Sequence, residues 1–327
     1  MLALSIFSIL PLLSGCGKPK ADQVPATQPA LILEETVQTQ PTLPKDAVEY
    51  AGDYYVPRKN LQSVLIMGLD KYEREETTIG YTNKMQADFL LLAVIDKDAK
   101  TCELLHLNRD TMTEIRRLGI GGGETGTFTG QLALAHTYGS GGSDSCLNAV
   151  KAVSKLLGGV KIDHYMTLTM DAVAKINDLV GGVTVTMLED FTEIDPAMVK
   201  GQEVTLKGEN ALAYVRFRKG IGDQSNLSRM ERQRQYLEAF YGKLMETNKK
   251  VSGFLSSTLL KVNDDFVSDC TVNQLEALSN LLETCTVEPI RTIEGKAVQG
   301  EEFMEFYPDA DSIQENVMAL FYEKIPE

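Results

Sequence analysis

The segment Asp88-Phe-Leu-Leu-Leu-Ala-Val-Ile95 has neither a helical nor an alternating period. A run this apolar and this short reads as a β-strand covered on both faces. Residues 62–69 and 101–107 repeat the pattern, and Asp96-Lys-Asp-Ala-Lys100 reads as the hairpin turn joining two of these runs. Further strands are expected at 164–169 and 182–187, near 287–293 and near 302–306. Helical patterns cover about 128–138, 143–157, 171–180, 209–217, 225–249, 271–284 and 310–323. Buried strands interleaved with amphipathic helices imply an α/β fold, a three-layer α/β/α sandwich on a mixed central sheet. The glycine-rich stretch 119–126 reads as a mobile loop.

The N-terminus is of another kind. About a dozen apolar residues precede Leu13-Ser14-Gly15-Cys16, which suits a signal-peptide core and is too short for a spanning helix. Small residues before a Cys resemble a lipobox, so Cys16 is the expected lipid anchor and residues 1–16 the signal peptide. Residues 17–60 hold Pro19, Pro25, Pro29, Pro41, Pro44 and Pro57 among Thr, Gln and Glu. They read as a disordered tether, leaving 61–327 as the folded domain. The expected location is extracytoplasmic, at the membrane through the lipid anchor.

The formal net charge of −14 argues against general nucleic-acid binding. There is no Walker loop, nucleophile elbow or zincin motif, and His106, His136 and His164 are scattered. Cys270 and Cys285 flank a helix and stand roughly 20 Å apart, too far to bridge, whereas a Cys102–Cys146 pair stays open. Two places offer chemistry. Asp70 ends one strand and Asp88 begins another; two carboxylates at one sheet edge could hold Mg²⁺, but from spacing alone they read first as simple strand ends. Within the acidic chain, Lys207, Arg216, Arg218, Lys219, Arg229, Arg232 and Arg234 are opposed only by Glu209, Asp223 and Glu231. On the helix that follows, Arg229 and Gln233 extend the apolar stripe Leu237, Phe240, Leu244. A buried Arg needs a partner, and a phosphate or an internal salt-bridge network meets that need.

Taken together, Ser63-Val-Leu-Ile-Met-Gly-Leu-Asp70, Ala87-Asp-Phe-Leu-Leu-Leu-Ala-Val-Ile-Asp96, Leu107-Asn-Arg-Asp-Thr111, Ala211-Leu-Ala-Tyr-Val-Arg-Phe-Arg218 and Arg229-Met-Glu-Arg-Gln233 resemble the LytR-CpsA-Psr family in kind and order. The resemblance implies an α/β/α core with a polyprenyl (pyro)phosphate pocket. The implied activity is Mg²⁺-dependent transfer of a glycopolymer from undecaprenyl pyrophosphate onto peptidoglycan. It assigns Asp70 and Asp88 to Mg²⁺, and Asp70, Asp88 and Arg109 to catalysis. Arg216, Arg218, Arg229 and Gln233 are assigned to the pyrophosphate.

The pattern departs from the family's where Gln86 and Gln131 replace cations and Asn108 replaces a proline. The alternative reading is therefore a degenerate member that binds polyprenyl phosphate or cell-wall glycan without transfer. On charge alone, Gln86→Arg should strengthen phosphate binding.

Overall fold

The computed structural model describes residues 43–69, 85–119, 122–251 and 253–326. All elements below belong to one unit, Pro44–Glu327. In chain order they are β1 (Val48–Tyr50), β2 (Asp53–Pro57), β3 (Leu61–Leu69), β4 (Ala87–Asp96), β5 (Thr101–Leu107), β6 (Met112–Leu118), β7 (Glu124–Gln131), α1 (Leu134–Thr137), α2 (Gly142–Leu156), β8 (His164–Thr169), α3 (Met170–Leu179), β9 (Val183–Thr186), β10 (Glu203–Leu206), α4 (Glu209–Arg216) and α5 (Asn226–Lys250). The remainder are α6 (Phe254–Lys261), β11 (Phe266–Ser268), α7 (Val272–Thr284), β12 (Thr286–Val287), β13 (Arg291–Thr292), β14 (Gly295–Gln299), β15 (Met304–Pro308), α8 (Ala310–Phe321) and β16 (Tyr322–Lys324).

The central sheet runs β11-β8-β3-β4-β5-β12, with β13 also on β5. It is mixed: β3–β4–β5 are antiparallel hairpin neighbours, while β8 lies parallel to β3. Strand alternation divides the residues between two faces. Leu65, Met67, Leu90, Leu92 and Leu105 join one cluster with Cys146, Ala149 and Val153 of α2 and Leu320 of α8. Val64, Ala93, Ile95 and Cys102 join another with Leu278 of α7. Helices thus cover both faces, as three layers require. Cys102 and Cys146 belong to these two separate clusters, and the four cysteines Cys102, Cys146, Cys270 and Cys285 are all free thiols.

Two helix starts follow from their caps. Ser225 Oγ accepts the Ser228 N–H at 3.0 Å to open α5, and Thr271 with Gln274 forms a capping box on α7.

The structure corrects three local expectations. Residues 128–131 are not helical: Thr125, Thr127, Phe128 and Thr129 favour strand, and β7 pairs with β6, leaving only α1 from Leu134 onward. The glycine-rich stretch is largely this hairpin, whose turn is closed by Gly119 N–H to Gly123 O at 2.8 Å. The folded part also starts before residue 61. Ala51 and Gly52 both take positive φ, a two-residue hairpin turn between β1 and β2, and β2 pairs with β16. Among the described residues, no helix is long and apolar enough to cross a membrane. Cys16 and Asp70 lie outside the described residues.

Candidate phosphate-binding site

Arg109 sits in the turn between β5 and β6. Asn108 builds that turn: its Oδ1 accepts the Asp110 N–H at 2.9 Å, and its carbonyl accepts the Thr111 N–H at 3.1 Å. An Asx turn of this kind does the work of a proline, fixing the backbone that presents Arg109. The Arg109 guanidinium ion-pairs through Nη1 with Asp88 Oδ1 at the start of β4. Its Nη2 donates to Gln86 Oε1 at 2.6 Å, and its Nε lies 3.3 Å from Asp110 Oδ1.

The two glutamines that stand in place of cations are built into this cluster. Gln86 holds Arg109 directly. Gln131 donates to Asp110 Oδ1 at 3.1 Å and to the Met304 carbonyl at 2.7 Å, so it aims the carboxylate that faces Arg109 and ties it to β15.

Arg229, in the first turns of α5, is only 4% exposed. Its Nη2 donates to Asn226 Oδ1 at 2.6 Å and lies 4.0 Å from Asp88 Oδ1. Asn226 in turn donates to Asn108 Oδ1 at 2.7 Å. A buried amide relay therefore links the Arg109 turn to Arg229. Burial pushes the Arg229 guanidinium down to about 9, with Arg218 and Arg109 pushing the same way and Asp110 opposing. Its Nε is buried without a hydrogen-bond partner. Arg218 is half-buried and, among the described residues, has no ion-pair partner; Arg216 is half-buried at the end of α4. The cluster thus holds more positive charge than its carboxylates match, beside the positive end of the α5 dipole, which is an anion-binding arrangement.

Gln233 differs from the cations. Its Nε2 donates to the Val215 carbonyl at 3.0 Å, and its side chain lines a cavity of about 260 Å³. The cavity lies between the β3–β4–β8 face and helices α3 and α5, walled by residues such as Ile66, Phe89, Met166, Val173 and Phe240. Gly68 is part of this wall; a methyl there would meet Phe89 Cβ at 3.0 Å. A second cavity of about 580 Å³ shares Ile66, Leu91, Met166, Ile176, Leu237 and Phe240 with the first and continues under α6 and α7. The cationic cluster thus adjoins the apolar cavity, with Arg229 one helical turn from Gln233 and Asp88 next to Phe89 in the cavity wall.

One cation of the basic segment plays a different part. Arg232 is 1% exposed, with its Nε 2.9 Å from Glu189 Oε2 and Nη2 2.5 Å from the Phe217 carbonyl. It is an internal salt bridge, so the salt-bridge reading of the basic segment holds for this arginine. The relay Asn108–Asn226 and the carboxylate of Asp110 had no part in the sequence reading; the turn signal Asn-Arg-Asp-Thr was the available clue.

His106 lies beneath the cluster against Phe89, ring centroids 4.9 Å apart. Burial first, then Arg234 and Arg229, push it down to about 3. The folded protein therefore refuses a proton that the unfolded chain takes up near pH 6.5. Stability from this group is complete above pH 6.5 and falls by about 1.4 kcal/mol per pH unit below it, down to the folded value. Urea unfolding at pH 6.5, 5.5 and 4.5 should show this slope in the wild type and a flatter one in His106→Asn; equal slopes would refute it.

The teichoic acid transferase TagU of Bacillus licheniformis is 31% identical to the chain over 181 residues, 55% of this chain and 51% of that protein. TagV of Bacillus subtilis, also named a teichoic acid transferase, is 27% identical over 242 residues, covering 72% and 56%. The chain spans about half the length of the curated relatives it matches. In solved structures, B. subtilis TagV superposes with a TM-score of 0.59 at 24% identity, covering 80% of this chain and 96% of that one. TagT bound to LI-WTA gives the same TM-score and identity over 80% and 90%. These two likenesses are of fold. A model of the LytR_cpsA_psr family matches residues 33–320, most of the chain, and the chain belongs to that family.

Proposed function

We propose that this protein moves a glycopolymer from a polyprenyl-pyrophosphate carrier onto a peptidoglycan hydroxyl, forming a phosphodiester and releasing polyprenyl phosphate. The observation that carries this reading is the neighbourhood of Arg109, Arg218 and Arg229 to an apolar cavity, which Gln233, one helical turn from Arg229, and Phe89, next to Asp88, both line. Only a ligand with an anionic head and a long apolar tail satisfies both halves. The names of the relatives TagU and TagV, teichoic acid transferases, support the same class of reaction.

The donor set fits Mg²⁺. Asp88 Oδ1 is a buried carboxylate oxygen that faces the Arg109 guanidinium, and a carboxylate has lone pairs left for a hard cation beside such a partner. Leu69, the residue before Asp70, pairs with Ala87, the residue before Asp88. Asp70 and Asp88 would hold the ion, which when bound supplies charge neutralisation to the pyrophosphate. Arg229 and Arg218 would bind the phosphates, and their charge favours the leaving phosphate as it gains negative charge. Asp88 keeps Arg109 aimed at the same place. The acceptor hydroxyl gives its proton to a carboxylate of the Asp70–Asp88 pair as its oxygen attacks phosphorus. Lipidation at Cys16 would hold the domain at the extracytoplasmic membrane face, where such a carrier resides.

Purified protein, a short-chain polyprenyl-pyrophosphate glycan and peptidoglycan oligomers should yield a phosphodiester-linked product in the presence of Mg²⁺. Asp70→Asn and Asp88→Asn should each bring product to background while far-UV circular dichroism stays unchanged; full activity in both would move the metal elsewhere. One observation favours the second reading, binding without transfer. All three nitrogens of the Arg109 guanidinium already face Asp88, Gln86 and Asp110. Tight lipid binding with no product in the wild type would select it.

A further inference from the structure

We propose that His164, Asp269 and Cys270 form a binding site for a zinc-class divalent metal at the edge of the central sheet. The strand register brings the ligands together. β11 is antiparallel to β8 with Ser268 opposite Met166, and two more residues of that register set Cys270 opposite His164. Residues so opposed have Cα atoms about 5 Å apart and side chains on one face. His164 Nδ1 lies 3.4 Å from Asp269 Oδ1, Cys270 Sγ lies 3.9 Å from the same oxygen, and all three donor atoms are within 4.8 Å of one another.

Two of these separations are close to the edges of a coordination shell. Tetrahedral zinc, with bonds of about 2.0 Å to N and O and 2.3 Å to S, spaces its ligands about 3.3 Å (N to O) and 3.5 Å (S to O) apart. The N–O edge is already in place, the S–O edge at 3.9 Å needs to close by a few tenths of an ångström, and rotation of the Cys270 thiol brings in the N–S edge, which lies within 4.8 Å. As a hydrogen bond, the His–Asp contact fails: His164 Nδ1 is buried with no hydrogen-bond partner. Asp269 Oδ1 is held in position by the Tyr165 N–H at 3.0 Å, the kind of support from behind that metal ligands receive. Imidazole, carboxylate and thiolate together favour zinc over Mg²⁺, and three protein ligands leave one position for water. Asp269 is exposed and Cys270 half-buried, so an ion can enter from solvent. The bound ion replaces the thiol proton, which is released to water.

The site is distinct from the phosphate cluster. His164 pairs with Val64, five residues before Leu69, so about 17 Å of strand separate the two. Its consequence lies in α7. Asp269 and Cys270 lead directly into Thr271, the N-cap of α7, whose Leu275, Leu278 and Leu282 wall the larger cavity. A metal here pins that wall to β8.

Titrating the full chain with Co²⁺ should produce a thiolate-to-cobalt charge-transfer band that saturates at one ion per chain and is abolished by Zn²⁺. Cys270→Ser should lose the band, His164→Ala should weaken cobalt binding at least 10-fold, and Cys146→Ser should behave as wild type. Alkylation of Cys270 by iodoacetamide, followed on its peptide by mass spectrometry, should slow at least 10-fold with Zn²⁺ in the wild type and not in His164→Ala. The proposal is overturned by a wild type without the band, by a band that survives Cys270→Ser, or by Cys270 alkylation that Zn²⁺ does not slow.

Discussion

Arg232→Ala should destabilise the protein by about 3–5 kcal/mol, the range for removing one partner of a buried ion pair. Glu189, its carboxylate partner, has a side chain only 12% exposed. The same guanidinium donates to the carbonyls of Tyr214 and Phe217 at the end of α4. It also lies over the Phe191 ring at 5.1 Å and the Tyr214 ring at 5.8 Å. Alanine leaves a buried charge and two carbonyls without their donor, and opens a hole beside two aromatic rings. Arg232→Met restores volume and little else. The double variant Glu189→Gln, Arg232→Met should recover part of the loss, because it also removes the stranded charge. Urea denaturation of the wild type, Glu189→Gln, Arg232→Met and the double variant measures the coupling. A loss below 1 kcal/mol in Arg232→Ala would mean that Glu189 finds another partner or water.

Arg229→Met should separate stability from binding. In the protein alone Arg229 is expensive: burial and the guanidinium groups of Arg218, Arg109 and Arg232 disfavour its charge. Methionine fills similar volume without that cost, so the thermal midpoint of the unliganded protein should rise. Affinity for a short polyprenyl pyrophosphate should fall about 10- to 100-fold, the worth of one or two charge-assisted hydrogen bonds. Gln86→Arg should also weaken binding, contrary to the expectation from charge alone. It removes the acceptor that holds Arg109 Nη2 and sets a second cation against it. Isothermal titration of these variants decides, and unchanged affinity in Arg229→Met would remove Arg229 from the phosphate site.

The frame of this fold was legible in sequence wherever the physics is local. The unbroken apolar runs of β3 and β4 announce strands buried on both faces, and Ser225 and Thr271 mark helix starts through their own side chains. Arg229 and Gln233 were legible as core-facing because helical period alone sets their direction. What escaped was pairing across distance. Asn108 meets Asn226 across 118 positions, and Gln131 meets the Met304 carbonyl across 173. No local pattern encodes either contact. The arginines of the basic segment looked alike because a count of charges carries no information about partners. Only the fold gives Glu189 to Arg232 and leaves Arg218 without a carboxylate among the described residues. The β6–β7 hairpin was misread because Phe128, Leu132 and Leu134 mimic a helical period while Thr and Gly set the backbone otherwise.

The two joined cavities also determine what engineering this scaffold will tolerate. They lie between one face of the central sheet and its helices, where most proteins of this size place close-packed side chains. Every substitution that grows into them, Val173→Leu or Ile176→Phe for example, adds contacts to walls that now face empty space. Such variants would survive heating better and would dominate any screen that scores thermostability. The same variants would obstruct the chamber. Selection for robustness and selection for ligand capacity thus pull in opposite directions on the same wall positions, and a stabilised version must draw its gains from elsewhere, such as helix caps and the outer hairpins.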